Sequence, residues 1–191
     1  MDLIPVTDLK QWAYCQRIVY YNRTMPGIGK QTFKMKEALA AQDLIENLEM
    51  RRGLQAYGLA GARRRFGVWL SDADLGLSGK ADLVLEAENR VAVVDFKLTG
   101  GEVGENHRMQ LAGYSLLAEK AYGLPAGVAF FYRIPDNRVF AVEVTEDLRA
   151  VVRAAVAEIR ETAEQQWCPP PTTVRGRCAE CEYANYCADI W

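Results

Sequence analysis

Apolar and polar positions alternate over residues 79–86, where Ala81, Leu83 and Leu85 interleave with Asp82, Val84 and Glu86. A polar turn at Asn89-Arg90 follows, and then the apolar run Val91-Ala92-Val93-Val94. The first pattern predicts a strand. The second is β-branched and apolar on both faces, which suits a central strand over 91–98 buried on both sides. A preceding strand is expected over 62–70, closed by the turn Ser71-Asp72-Ala73-Asp74, whose two acids are read as turn chemistry rather than as a metal site. Helical spacing returns over 106–122. A hairpin follows, with strands 128–134 and 138–144 around Pro135-Asp136-Asn137, and a helix over 146–166. At the N-terminus, Thr7 is a good cap for one helix over 8–21 carrying Leu9, Trp12, Ala13, Ile18 and Val19, with Cys15 in its middle. A loop at Pro26-Gly27-Ile28-Gly29 leads to a second helix over 33–52, with Met35, Leu39, Leu44, Ile45 and Leu48 on its apolar side and Gly53 as its stop.

The order α, α, β, β, β, α, β, β, α predicts an α/β fold with a mixed central β-sheet flanked by helices. A chain of 191 residues is enough for one domain with a sizeable core. Within that single domain, 1–30 would be the N-terminal helix with one cysteine, 31–166 the core and 167–191 a cysteine-rich tail.

Asp95 and Lys97 end the buried run. They lie two apart and so share one face of the strand, where Asp82 can approach from its neighbour. Two carboxylates and a lysine at the end of a buried sheet are unfavourable unless a cation sits between them. Oxygen donors select a hard cation, Mg²⁺ or Mn²⁺, which lowers the pKa of bound water and stabilises charge on a phosphate. Lys97 would position or polarise the attacking water.

This pattern resembles the PD-(D/E)-x-K nuclease superfamily and its RecB-like branch. Asp82 matches the first acid, and Asp95-Phe96-Lys97 matches (D/E)-x-K. Gln110 and Tyr114 match the RecB-like Q-x-x-x-Y motif, and at four apart they share a helix face. The resemblance implies that Asp82 and Asp95, with the Phe96 carbonyl, hold the catalytic cation. It implies that Gln110 and Tyr114 position the DNA backbone or water.

Four of the five cysteines lie late in the chain, at 168, 178, 181 and 187. Cys178, Cys181 and Cys187 give C-x₂-C-x₅-C in a short polar tail, and such spacing reads as metal before disulfide. Four thiolates suit Zn²⁺ or an iron–sulfur cluster, and Cys15 and Cys168 compete for the fourth place. Cys15 would staple the N-terminal helix to the tail.

The early Tyr14-Cys15-Gln16-Arg17-Ile18-Val19-Tyr20-Tyr21, the RecB-like core and the terminal C-x₂-C-x₅-C together resemble the CRISPR-associated Cas-four nucleases over nearly the whole chain. The resemblance implies an iron–sulfur cluster, [4Fe-4S] rather than [2Fe-2S], on Cys15, Cys178, Cys181 and Cys187, with Cys168 spare. It implies a metal-dependent DNA exonuclease or endonuclease of CRISPR adaptation, trimming single-stranded 3′ overhangs of prespacers beside the protospacer-adjacent motif. The implied partners are the CRISPR integrase and its partner subunit, with fusion to the integrase known in some systems. The family's first motif, G-x-x-x-H, has its counterpart in Ala38-Leu39-Ala40-Ala41-Gln42. Gln42 offers an amide oxygen, a weaker ligand than imidazole. That departure favours an alternative, a module that recognises a DNA end and its motif with little intrinsic cleavage. A RecB-like repair nuclease is a further alternative. The only histidine, His107, precedes Gln110 and could approach the site from the third helix, but a surface role at the helix start is the favoured reading.

Charge changes this picture little. The formal net charge of −2 gives no bulk attraction for nucleic acid, so contacts with DNA must come from local patches such as Arg63-Arg64-Arg65. No apolar run approaches the roughly 20 residues of a membrane span, and the N-terminus lacks the pattern of a signal peptide. The expectation is a cytoplasmic protein.

Overall fold

The computed structural model describes residues 2–27, 49–51, 53–98, 101–179 and 181–187. Its centre is a six-stranded mixed sheet. β1 (Ile4–Pro5), β3 (Leu77–Glu86), β4 (Val91–Lys97), β5 (Val128–Arg133) and β6 (Arg138–Glu143) lie in that spatial order, and β2 (Arg63–Asp72) pairs with β3. β2, β3 and β4 are antiparallel neighbours, β4 and β5 are parallel, and β5 and β6 form a hairpin. The parallel step from β4 to β5 needs a crossover. α3 (Glu105–Tyr122) supplies it, and α4 (Glu146–Gln165) follows β6.

The expected strands and the two later helices are present, with ends shifted by one or two residues. The β2–β3 turn falls at 73–76, where Leu75 N donates to Asp72 Oδ1 at 2.8 Å. Asp72 thus caps its own turn, the chemistry its sequence suggested. The expected helix over 33–52 lies largely outside the described residues, and so do Ala38 and Gln42; residues 49–51 are helical.

The N-terminal reading requires two corrections. Thr7 is no cap: α1 (Val6–Tyr14) begins two residues earlier than expected, behind Pro5, whose fixed φ suits a helix entry. The single helix over 8–21 is two helices, α1 and α2 (Gln16–Thr24), broken at Cys15 with φ −163° and ψ 116°. Periodicity alone cannot see that break, because a distant side chain supports it. Arg177 Nη1 donates to the Tyr14 carbonyl at 2.6 Å, satisfying an acceptor that a continuing helix would otherwise engage.

Two apolar layers hold the sheet. On one face α1, α3 and α4 pack Val6, Leu9, Leu111, Leu117 and Ile159 against Val84, Val91 and Val93. On the other, Tyr57, Leu59 and Ala62 cover Leu83, Leu85, Ala92 and Val94. This double burial of β4 is what its β-branched run anticipated. α3 is buried without a break from Met109 to Ala118, so its polar members, Gln110, Tyr114 and Ser115, are carried into the interior. A third, small cluster joins Ile18 and Tyr21 of α2 to Tyr183 of the tail.

Candidate active site and thiol cavity

The β3–β4 ladder ends at the pair Leu83↔Val94. One residue further, Asp82 and Asp95 stand where the two strands part. Phe96 N, released from the ladder there, donates to Asp82 Oδ2 at 2.9 Å. Asp95 is buried, and Lys97 Nζ straddles its carboxylate at 2.8 Å from Oδ1 and 2.7 Å from Oδ2. The three residues of the sequence motif therefore meet at one point.

α3 closes the site from above. Gln110 and Tyr114 are both buried, and Gln110 Oε1 has no hydrogen-bond partner. Tyr114 reaches the sheet because position 79 is glycine: a Cβ there would lie 2.9 Å from Tyr114 Cε1 and 3.3 Å from Val6 Cβ. Gly113 does the same for α1, since its Cβ would lie 2.6 Å from Leu9 Cδ1. Gly79→Ala is expected to lower stability by about 1–3 kcal/mol through overpacking, read as a fall in the thermal unfolding midpoint with the secondary structure retained. An unchanged midpoint would show that Tyr114 shifts without penalty.

Two further basic side chains join this group: His107, for which the sequence offered this place as the lesser alternative, and Lys10, which it did not place there. Lys10 of α1 is lowered to about 8, by burial first and then by Lys97, while Asp95 and Asp82 oppose the shift. His107 of α3 is lowered to about 4, by burial first and then by Lys10 and Lys97, and its ring packs on Phe131 at 4.9 Å. The expectation of a surface role for His107 is therefore corrected: it is a neutral, half-buried imidazole within the field of the site. A sequence signal for it exists, because 107, 110 and 114 are spaced to share one face of a helix. Lys10 carries no such signal, since only the packing of α1 on α3 brings it in.

Electrostatics test the site for a cation. Asp82 is pushed up to about 6, first by burial and then by the charge of Asp95, with Lys97, the Phe96 N–H and Lys80 opposing. Tyr114 is pushed well above the ordinary phenol value, by burial first and then by Asp95 and Asp82. Negative charge is thus under-compensated where Asp82 and Asp95 meet, and an unpartnered amide oxygen lies buried on the helix that covers the site. An all-oxygen donor set of this kind fits a hard divalent cation.

The second assembly lies at the break between α1 and α2. Cys15, Cys178, Cys181 and Cys187 line a single cavity with Ile18, Tyr21 and Tyr183. The tail is held there by Arg17, whose Nε donates to Pro169 O at 2.8 Å and whose Nη1 lies 3.2 Å from Cys187 Sγ. Tyr183 stacks on Tyr21 with ring centroids 5.4 Å apart. The Cys181 thiol is raised by burial and by its closeness to Cys15, Cys178 and Cys187. Among the described residues, no three such side chains approach closely enough to share a single metal ion. Cys168 is exposed and does not line the cavity.

Comparison with known proteins shows what the chain as a whole is similar to. The model of the PD-(D/E)XK nuclease superfamily matches residues 10–188. The CRISPR-associated exonuclease Cas4 of Francisella tularensis subsp. novicida is 28% identical over 97% of this chain and 94% of its own length. That of Aeropyrum pernix is 26% identical over 96% of this chain and 94% of its own. A CRISPR-associated exonuclease Cas4/endonuclease Cas1 fusion from Geobacter sulfurreducens is 25% identical, matching 98% of this chain and 34% of the fusion. Among solved structures, the crystal structure of SSO0001 superposes with a TM-score of 0.57 at 18% identity, covering 100% of this chain and 88% of that one, a likeness of fold.

Proposed function

Because this chain belongs to the PD-(D/E)XK nuclease superfamily, we propose that it is a metal-dependent DNA nuclease of CRISPR adaptation. In this reading it trims single-stranded 3′ overhangs of prespacers beside the protospacer-adjacent motif, before integration. The observation that carries the reading is the meeting of Asp82, Asp95 and Lys97 where β3 and β4 part, under the buried Gln110 and Tyr114. The similarity to proteins named CRISPR-associated exonuclease Cas4 supports the setting. The Cas4/Cas1 fusion supports the integrase, with its partner subunit, as the assembly in which the chain works.

Asp82 and Asp95 would hold Mg²⁺ or Mn²⁺, with the Phe96 carbonyl as a further oxygen. Such a cation, when bound, supplies a water of lowered pKa and neutralises charge on the phosphate. Phe96 N fixes the Asp82 carboxylate, so its second oxygen is free to face the cation. Lys97, an ammonium beside these carboxylates, orients the attacking water and stabilises the charge that develops on the phosphate. Gln110 and Tyr114 present an amide and a hydroxyl that position the DNA backbone or water. Lys10 and neutral His107 lie within the field of these groups, and Lys10 adds positive charge beside the carboxylates for a phosphate that enters.

Cys15, Cys178, Cys181 and Cys187 would hold an iron–sulfur cluster. The four thiols line one cavity, and the resemblance to the Cas-four cysteine pattern supports a cluster there rather than one Zn²⁺. The cluster's role is structural: with Arg17 and Arg177 it joins the cysteine-rich tail to the N-terminal helices of a single nuclease domain. Among the described residues no helix is long and apolar enough to cross a membrane, in keeping with action in the cytoplasm.

The raised Asp82 gives a pH test. Above about pH 6 its carboxylate is ionised and free to bind metal; below, a proton competes. Mn²⁺ affinity is expected to be flat above that point and to fall about tenfold per pH unit beneath it, measured by calorimetry. Stability would not isolate this group. Raised Asp82 favours the metal-free fold as pH falls, whereas His107, lowered to about 4, favours it as pH rises. A flat Mn²⁺ affinity down to pH 5 would remove Asp82 from the ligand set.

The direct experiment uses anaerobically purified protein, a duplex with a 3′ overhang and Mn²⁺, with and without the integrase complex. Trimming of the overhang supports the reading, and dependence on the integrase places it in spacer processing. Binding of DNA with no cleavage in either setting would leave a recognition module and overturn the nuclease.

A further inference from the structure

The hairpin that carries Asp82 also carries the most exposed large apolar side chain among the described residues, Trp69 at 75%. Trp69 is directly paired with Lys80 across the β2–β3 ladder. Lys80 precedes Asp82 by two residues, one strand step of about 7 Å. Between the pairs Phe66↔Leu83 and Val68↔Ala81, Gly67 stands opposite Asp82. Its φ is +58°, a conformation that side-chain-bearing residues rarely adopt, and a Cβ there would lie 3.0 Å from Lys80 Cε and 3.4 Å from Nζ. Lys80 therefore folds across the bare backbone of Gly67, and its charge acts on the Asp82 carboxyl. An indole, an ammonium and a carboxylate of the proposed active site stand in one row.

Among the described residues, no packing accounts for this row. A lone exposed apolar side chain is ordinary, but here a flat aromatic surface is paired with a cation, within a nucleotide or two of the carboxylates. Proteins that hold single strands without regard to sequence use this pairing: bases stack on aromatic rings and cations follow the phosphates.

We propose that Trp69 and Lys80 form a subsite for the single strand flanking the scissile phosphate, the indole stacking on a base and the ammonium pairing with the adjoining phosphate. The proposal rests on the nuclease reading above, which puts the scissile phosphate beside Asp82. Because every base has a π-face, the subsite is indifferent to sequence, as trimming of arbitrary overhangs requires. Gly67 leaves room for Lys80 to lie between the stacked base and the carboxylates.

The test measures binding of a fluorescently labelled oligothymidylate to the full chain by anisotropy, with Ca²⁺ replacing Mn²⁺ to hold the strand uncut. Trp69→Ala is expected to weaken binding about tenfold, the effect of losing one stacked base, while Trp69→Phe stays within about threefold of wild type. Lys80→Ala is expected to weaken binding and to reduce the slope of log Kd against log salt by roughly 0.7, one phosphate contact. Both side chains are exposed, so unchanged circular dichroism and melting are expected for all three variants. Trp69→Ala binding like wild type would overturn the proposal, and so would Trp69→Phe binding as weakly as Trp69→Ala. Cleavage in Mn²⁺ is measured alongside. No cleavage by wild type, with binding still dependent on Trp69, would sink the nuclease reading and leave the strand subsite. Cleavage with binding indifferent to Trp69 would sink the subsite alone.

Discussion

Lys97→Ala is expected to reduce trimming of a 3′ overhang at least about a hundredfold while DNA binding stays within a few-fold of wild type. The magnitude is that of removing one preorganised group from a charge-developing transition state. The asymmetry follows from position. Lys97 Nζ is held within 2.8 Å of both Asp95 oxygens, deep in the site. It therefore addresses the reacting phosphate and its water rather than the length of the strand. The same substitution leaves Asp95 buried without its cation, which is expected to destabilise the metal-free protein by about 3 kcal/mol or less, because Lys97 is partly solvated. Mn²⁺ is expected to restore much of that loss, since it supplies positive charge to the same carboxylates. Single-turnover cleavage, anisotropy and thermal melting with and without Mn²⁺ check the three parts. Cleavage at wild-type rate would remove Lys97 from the chemistry, and loss of binding in parallel with cleavage would make it a docking residue.

Cys187→Ser is expected to abolish the brown colour and the absorbance near ~400 nm of anaerobically purified protein, and to free the tail to proteolysis. Cys15→Ser is expected to do the same, although it lies over 160 residues away, because both thiols line one cavity. Cys168→Ser is expected to keep the chromophore, since Cys168 is exposed and outside that cavity. The loss in the first two variants is expected to be incomplete in structural terms. Arg177 still caps the Tyr14 carbonyl at 2.6 Å, and Tyr183 still stacks on Tyr21, so the tail keeps part of its docking. Visible spectroscopy, iron analysis and limited proteolysis measure these effects. A colourless wild type containing Zn²⁺, a d¹⁰ ion, would replace the cluster with zinc. A chromophore lost with Cys168 and kept with Cys15 would reverse the choice of the fourth ligand.

The elements that could be read from sequence are those with short-range causes. β4 was visible because burial on both faces demands an unbroken β-branched run, and Asp95 and Lys97 stood out by interrupting it. The β2–β3 turn was visible because Asp72 closes it within three residues. Gln110 and Tyr114 were placed together because helix geometry alone puts residues four apart on one face. The Cys178-Cys181-Cys187 spacing marked the tail for the same reason, since metal-ligand spacings are local.

What the tertiary structure decided has causes remote in sequence. The break at Cys15 has helical spacing on both sides, and its support comes from Arg177 of the tail. Lys10 enters the site because Gly113 and Gly79 let α1, α3 and β3 approach closely, and a glycine's value there depends on the partner it admits. The elevation of Asp82 required knowing that Asp95 lies across the parted ladder and that both are withdrawn from water. Sequence fixes which groups a chain owns and their order along each element. Packing sets the distances and the exclusion of water, and charge interactions depend on both.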